Sequence, residues 1–306
     1  MNYNVNFLID RYYEFVNTVS KKNNYDENIS HLIRLLLIVF VIKYDIKNEK
    51  IIMECFEKTK IIVSDNKKNG EEAFFYRNIS LSDRYISNKY IIINDFYKEN
   101  YIELIDTLIH EFNHAINSMV NEISFDEKNI YLRTGLSYLT YSKDDLNNAI
   151  DKSNEYVLEE VINTSQTVDI INIIKSIEEE RIDSLEFSNF IHVIKEEVSG
   201  SEYVSKAYLL ETKLLEPLIN NRTFISTIEN MRFMGKTNEI DIWFDSISNI
   251  KGQYMMLNKL LKELFDLELV YINRKVFKKD VELNIRKKIN NVKVVVELFN
   301  NNCIYR

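Results

Sequence analysis

The chain has 306 residues, and its 39 lysines and arginines against 47 aspartates and glutamates give a formal net charge of −8. This length suits one large domain or two smaller ones. Because the balance is acidic and no Lys/Arg-rich cluster stands out, the sequence argues against nucleic acid or an anionic membrane surface as the main partner.

Residue usage narrows the class of protein further. Five glycines and one proline leave few helix breakers, and no GxGxxG or GxxxxGK[ST] loop is present to bind a nucleotide. Cys55 and Cys303 lie at opposite ends of the chain and do not form a disulfide framework. The first residues lack the pattern of a signal peptide, and the apolar run at 32–42 is too short for a bilayer. We therefore expect a soluble, cytoplasmic protein with no membrane partner; the alternative is an exported form that has been trimmed of its signal or is secreted non-classically.

Two helices and a small sheet are predicted in the first third of the chain. Residues 4–20 and 29–45 have helical patterns, and Asn28 or Ser30 would cap the second helix. Short β-branched or aromatic segments follow and predict a small twisted sheet; they cover residues 60–64, 73–76 and 90–94.

The next predicted helix carries the most informative motif of the chain. Residues 110–114 read His-Glu-Phe-Asn-His, an HExxH motif that uses two of the four histidines present. A spacing of four puts His110 and His114 on one helix face, aimed at one point, and Glu111 can reach a metal-bound water. Such a pair can also be an ordinary, partly buried one. The helical context favours a zinc (Zn²⁺) site.

The surroundings of this motif fit an amphipathic helix. Asn100 would cap it, with Glu103 at the capping-box position. The expected buried stripe consists of Leu104, Ile105, Leu108, Phe112, Ala115, Ile116 and Met119. Polar side chains one turn away would either orient a ligand histidine or be solvated; they are Asp106, Asn117 and Asn121. The preceding strand would either offer its edge to an extended peptide or be purely structural.

A catalytic zinc usually takes three protein ligands and keeps a fourth position open. The extended motif HExxHxxGxxH is absent, because Asn117 and Val120 stand at its later positions. A glutamate on a later helix is the other common solution, and residues 156–164, Tyr-Val-Leu-Glu-Glu-Val-Ile-Asn-Thr, contain an acidic pair.

With this segment the chain resembles the gluzincin metallopeptidases over about residues 90–175. The resemblance rests on HExxH and on Leu158-Glu159-Glu160, although Val161 stands where the commonest family pattern has glycine. It implies that zinc is held by His110, His114 and a glutamate, and that Glu160 occupies the ligand place. It also implies an oxyanion-stabilising donor from the later part of the chain, for which Tyr203, Tyr208 and His192 are candidates.

The helical pattern also bears on the choice between Glu159 and Glu160, because adjacent helical residues point about 100° apart. Glu160 shares a face with an inward-looking stripe, namely Val157, Thr164, Val168 and Ile171. Glu159 shares a more polar face, which we expect to be wetter, with Glu155, Ile162, Asn163 and Gln166. Both arguments favour Glu160 as the third ligand.

The whole pattern predicts a mostly helical α+β protein. We expect residues 1–180 to form a zincin-like catalytic region with a small sheet and the HExxH helix, and residues 181–306 to form a helical subdomain. Residues 122–153 read as irregular. The predicted function is zinc-dependent hydrolysis of a peptide or protein substrate, with Glu111 as general base and acid. The alternative is a non-catalytic helical interaction protein with a structural or vestigial zinc site.

Overall fold

The computed structural model describes residues 4–64, 73–80, 85–94, 101–199, 208–274 and 279–304. Over these residues it is a mostly helical α+β protein with two small sheets, which confirms the coarse class predicted. The zincin-like core stays a prediction. The chain divides into two compact units: unit 1 is Met1–Ile116 with Gln166–Val204, and unit 2 is Asn117–Ser165 with Ser205–Arg306. The predicted division at residue 180 stays a prediction.

Unit 1 begins with three helices: α1 (Val5–Asn23), α2 (Glu27–Tyr44) and α3 (Glu49–Lys58). The first two confirm the predicted pair. The expected caps of α2 are wrong, because Asp26 is the N-cap and its side chain accepts from the backbone N–H of Ile29. Helix α3 was not expected. Helix α2 is buried from Leu32 to Val41, which explains an apolar sequence interrupted only by Arg34.

The predicted small sheet is present in unit 1, with strand order β1–β3–β2. Its strands are β1 (Thr59–Ser64), β2 (Ala73–Ser80) and β3 (Tyr85–Asn94). Strand β3 pairs in parallel with β1 and antiparallel with β2. It is therefore the central strand, and both its edges are hydrogen-bonded between Lys89 and Ile93. The idea that an extended peptide pairs with its edge is wrong, because no edge is free there.

Helix α4 (Tyr101–Ser118) carries HExxH. The predicted stripe is buried except for Met119, which lies beyond the helix end and is half-buried. Within unit 1, Phe112 stacks on Phe56 of α3 with ring centroids 4.3 Å apart. The proposed cap, Asn100, lies outside the described residues.

Unit 2 contains a four-stranded antiparallel sheet in the order β4–β5–β6–β7. Its strands are β4 (Ile123–Phe125), β5 (Asn129–Thr134), β6 (Ser137–Ser142) and β7 (Asp145–Lys152). The prediction that residues 122–153 are irregular is therefore wrong. Strand β7 is largely exposed and carries no alternation of apolar and polar residues that would mark it in the sequence.

Helices follow almost without interruption, as predicted: α5 (Tyr156–Lys175), α6 (Leu185–Ser199), α7 (Leu209–Ile219), α8 (Arg222–Phe233), α9 (Ile240–Ser248), α10 (Gln253–Arg274) and α11 (Lys279–Ile304). In unit 2 they enclose an apolar core in which Phe244 stacks on Phe299 at 4.0 Å. The boundary between the units falls inside α4 and α5, after Ile116 and Ser165. Among the described helices, none combines the length and apolar character needed to cross a membrane.

A carboxyl pair in unit 2, in which Glu211 is buried and Glu268 is half-buried, leads to a first prediction. Burial raises the pKa of Glu211 on α7, and burial with the charge of Glu211 raises the pKa of Glu268 on α10 to about 7. A carboxyl group whose pKa is raised by folding stabilises the fold below its unfolded pKa, about 4.3, and this stabilisation is lost as pH rises through the folded value. We therefore expect unit 2 to lose stability between pH 5 and 8.

The measurement is the urea midpoint at pH 5 and at pH 8 for the wild type and Glu268→Gln. The variant should show a smaller difference between the two pH values, because the glutamine side chain does not titrate. Asp266→Asn, a change on the exposed part of the same helix, is the control. An equal pH difference in wild type and Glu268→Gln would show that the pair does not cause it.

Candidate metal centre

The HExxH helix brings its two histidine rings together. Nε2 of His114 lies 3.2 Å from Nε2 of His110, and the ring planes cross at 82°. Two zinc–nitrogen bonds of about 2.05 Å at a tetrahedral angle hold their nitrogens about 3.3 Å apart. The pair therefore has the spacing of two ligands of one tetrahedral ion. The same spacing also allows one ring to donate a hydrogen bond to the other.

The histidine pair and its neighbours lie in a largely enclosed environment. His114 is 5% exposed, Glu111 is 9% exposed, and His110 is half-buried. Asn113, between the histidines, is fully buried, and its Oδ1 accepts a hydrogen bond from Tyr44 Oη at 3.0 Å. This bond ties helix α4 to α2 within unit 1. A low-dielectric environment strengthens any electrostatic interaction made there.

The three polar residues flanking the motif have different surroundings. Asn117 is fully buried, Asp106 is half-buried, and Asn121 is exposed. Asn121 has a positive φ of 53° and donates to the backbone oxygen of Gly235 at 3.2 Å. Asn121 therefore contacts the end of α8 within unit 2, and the solvated alternative does not hold for Asn117.

Glu159 forms an ion pair with a buried arginine of its own unit. Its side chain and that of Arg232 on α8 are both 0% exposed, and Nε of Arg232 donates to Oε2 of Glu159 at 2.8 Å. Nη2 of Arg232 donates to Oε1, and the backbone N–H of Leu136 donates to Oε2 at 2.7 Å. Both carboxylate oxygens are thus engaged in a bidentate ion pair. The expectation that Glu159 lies on a wetter face is wrong.

Glu160, one position further on α5, is half-buried and points elsewhere. Glu160 belongs to unit 2, whereas His110 and His114 belong to unit 1. Glu159 is committed to Arg232, so Glu160 is the member of the acidic pair that stays the candidate for the third ligand. Its part in a site with the two histidines stays a prediction.

A second buried arginine, Arg133, holds the elements around Glu159 together, and the sequence analysis did not single it out. Arg133 on β5 is fully buried and donates to the backbone oxygens of Gly135 at 2.6 Å and Arg232 at 3.0 Å. It thereby links the β5–β6 turn to the end of α8. A buried arginine in an otherwise apolar setting needs partners, but the sequence alone does not say which backbone groups supply them.

Gly135 leads to a second prediction. Its φ is +57°, and a Cβ at this position would lie 2.1 Å from Oε2 of Glu159. Gly135→Ala should therefore both strain the backbone and displace the Glu159 carboxylate from Arg232, lowering the free energy of unfolding by about 2 kcal/mol or more. Urea unfolding measures this loss. Gly252→Ala is a matched control, because its φ is also positive but its nearest contact is 3.8 Å away. Equal losses in both would leave backbone strain alone as the cause.

The three candidates for an oxyanion donor differ in their surroundings. Tyr203 lies outside the described residues. His192 on α6 has a largely exposed side chain, and its ring nitrogens lie 3.6 Å from Glu179 and 3.5 Å from Glu196. Tyr208 shares a hydroxyl–hydroxyl hydrogen bond with Tyr156 and has a positive φ of 53°, which is unusual for a bulky residue.

Tyr208 has the electrostatic surroundings of a group that stays protonated. Burial raises the pKa of its hydroxyl, and the negative charge of Glu160 raises it further. A tyrosine hydroxyl is an O–H donor at neutral pH in any case, so this shift does not by itself assign a role to Tyr208. Of the three candidates, Tyr208 is the one whose hydroxyl lies near the charge of Glu160, the proposed third ligand.

Comparisons with known proteins give no further guidance. No family model matches the chain, and no curated protein or solved structure matches it significantly.

Proposed function

We propose that the protein is a zinc-dependent peptide hydrolase with a zincin-like catalytic region of the gluzincin type. The observation that carries this proposal is the histidine pair of HExxH on α4: Nε2 of His110 and Nε2 of His114 lie 3.2 Å apart, the spacing of two ligands of one zinc ion. Glu111 stands between them in the sequence, and Glu160 is the proposed third ligand. The substrate class is a peptide or protein.

The donor set fits a catalytic zinc better than a structural one. Two imidazole nitrogens and one carboxylate oxygen make three protein ligands, whereas structural zinc sites are usually closed by four, often including cysteine. The two cysteines are on other elements: Cys55 is buried in α3 and Cys303 lies on α11. Three ligands would leave one position for water or substrate.

Each residue then has a separate role. When bound, zinc would polarise the scissile carbonyl and lower the pKa of a water molecule from 15.7 toward about 7. The carboxylate of Glu111 takes the proton from the attacking water and gives it to the leaving amine. The hydroxyl of Tyr208 is the proposed donor to the oxyanion. Glu159 and Arg232 hold the first turns of α5 and so position Glu160.

The third prediction tests the metal. Purified wild-type protein should carry about one tightly bound zinc at the HExxH centre, and chelation should abolish peptide hydrolysis. His110→Ala and His114→Ala should each lose this zinc and the activity. Metal content by mass spectrometry and a fluorogenic peptide library provide the measurements. Glu103→Gln, an exposed change on the same helix, is the control.

The outcomes separate the proposal from its alternative. Zinc binding without hydrolysis of any peptide in the library would favour a non-catalytic protein with a structural or vestigial zinc site. Folded protein that takes up no zinc at the HExxH centre on titration would contradict both.

A further inference from the structure

A second group of ligand-type side chains lies within unit 1, on α2 and α6. One ligand atom each from Glu27, His31 and Glu186 lies within 4.8 Å of the others. Nε2 of His31 is 3.5 Å from Oε1 of Glu186. The three residues also line a cavity of about 360 Å³ together with Asn189 and Phe190. None of them belongs to the HExxH centre.

His31 is held as a potential ligand by its surroundings. The residue is 9% exposed, and its ring packs against those of Phe187 and Phe190 with centroids 5.9 and 5.2 Å away. The neutral imidazole is the form that binds metals. The aromatic packing fixes the ring, so little conformational entropy is lost when an ion binds.

The two glutamates bring like charges to the same point. The side chains of Glu186 and Glu27 are in hydrogen-bond contact. Two carboxylates in contact need either a shared proton or a cation between them. Arg34, one turn after His31, supplies only part of the positive charge that would compensate the two carboxylates. Its guanidinium stacks on the rings of Tyr13 and Phe187, at 5.0 and 5.4 Å.

We propose that Glu27, His31 and Glu186 form a second metal site, which binds a divalent ion of the zinc, cobalt or nickel type. One imidazole and two carboxylates suit these ions, whereas calcium and magnesium prefer oxygen ligands alone. A bound ion joins the first turns of α2 and α6 within unit 1. The exposure of both glutamates makes this site weaker than the HExxH centre, so it fills at higher metal concentration.

The test is a Co²⁺ titration of metal-free protein, followed by absorption spectroscopy and by metal content after gel filtration. The wild type should bind two equivalents, one more weakly than the other. Glu186→Gln should weaken the second equivalent at least about 10-fold and leave the first unchanged. Glu27→Gln should act in the same way. Glu197→Gln, an exposed change on the same helix as Glu186, should bind two equivalents like the wild type.

Two results would overturn the proposal. One is a single equivalent in the wild type that is lost in His114→Ala, which would leave Glu27 and Glu186 as a carboxyl pair sharing a proton. The other is an unchanged second equivalent in both glutamine variants. The proposed hydrolase function fails on different results: wild-type protein that binds no first equivalent at the HExxH centre, or wild-type protein that hydrolyses no peptide. Glu186 has a largely exposed side chain, so folding of its variant is not at risk.

Discussion

Glu111→Gln should lower peptide hydrolysis by about 10²- to 10⁴-fold while leaving the fold and the zinc content unchanged. Glutamine has the size and shape of glutamate but cannot take a proton from water or return it to a leaving amine. Both steps assigned to Glu111 are lost in one substitution. Because Glu111 is proposed to act on the water rather than to bind the metal, the metal should remain.

The measurement is kcat/KM on the best peptide of the library, together with zinc content and the thermal midpoint of each protein. Glu103→Gln on the same helix should keep wild-type turnover. His110→Ala provides the opposite comparison, because it should lose the metal along with activity. A Glu111→Gln protein with near-normal turnover would remove the proposed mechanism, even if its zinc content were as expected.

The features that the sequence predicts well are local ones. HExxH places two imidazoles one turn apart, and this relation depends only on helical geometry within five residues. The helical stripe of α4 and the strands of the first sheet are likewise set by short patterns. Where the structure differs from such local expectations, it differs by a few residues at the ends of elements. The N-cap of α2 is an example.

Features that depend on distant parts of the chain were missed or misread. The central position of β3 follows from its pairing with both β1 and β2, which no pattern within β3 records. The second sheet was missed because its outer strand is exposed on both faces and carries no apolar alternation. Single-sequence periodicity reports burial on one face, and it fails where a strand is exposed or a polar face is buried.

Helix α5 is a case in which a polar face is buried, so that sequence periodicity misjudges its exposure. Its polar residues Glu159, Asn163 and Gln166 are fully buried, although their pattern suggests a wet face. For Glu159 and Asn163 the reason is Arg232, 73 residues beyond Glu159 along the chain, which donates to both side chains. Glu160 was the expected ligand on two grounds. The polarity argument was wrong about Glu159, and the position of Glu160 in the gluzincin pattern remains a prediction.

The final prediction separates the adjacent glutamates by two different measurements. Glu159→Ala leaves the Arg232 guanidinium buried without its partner, and we expect the free energy of unfolding to fall by about 3–5 kcal/mol. Arg232→Ala should lower it by a similar amount, because it leaves the carboxylate unpaired. In a double-mutant cycle the two losses should be far from additive, since both remove the same interaction.

Glu160→Ala should behave in the opposite way. Its side chain is half-buried and is proposed to hold the metal rather than the fold, so metal-free protein should lose less than about 1 kcal/mol of stability. Zinc affinity should fall sharply, because a ligand is removed. Urea unfolding in chelator and zinc titration measure the two effects. If Glu159→Ala releases the metal with its stability intact while Glu160→Ala keeps it, the ligand is Glu159 and the ion pair with Arg232 does not form in solution. If both variants keep the metal, the third ligand lies elsewhere and the gluzincin proposal is wrong.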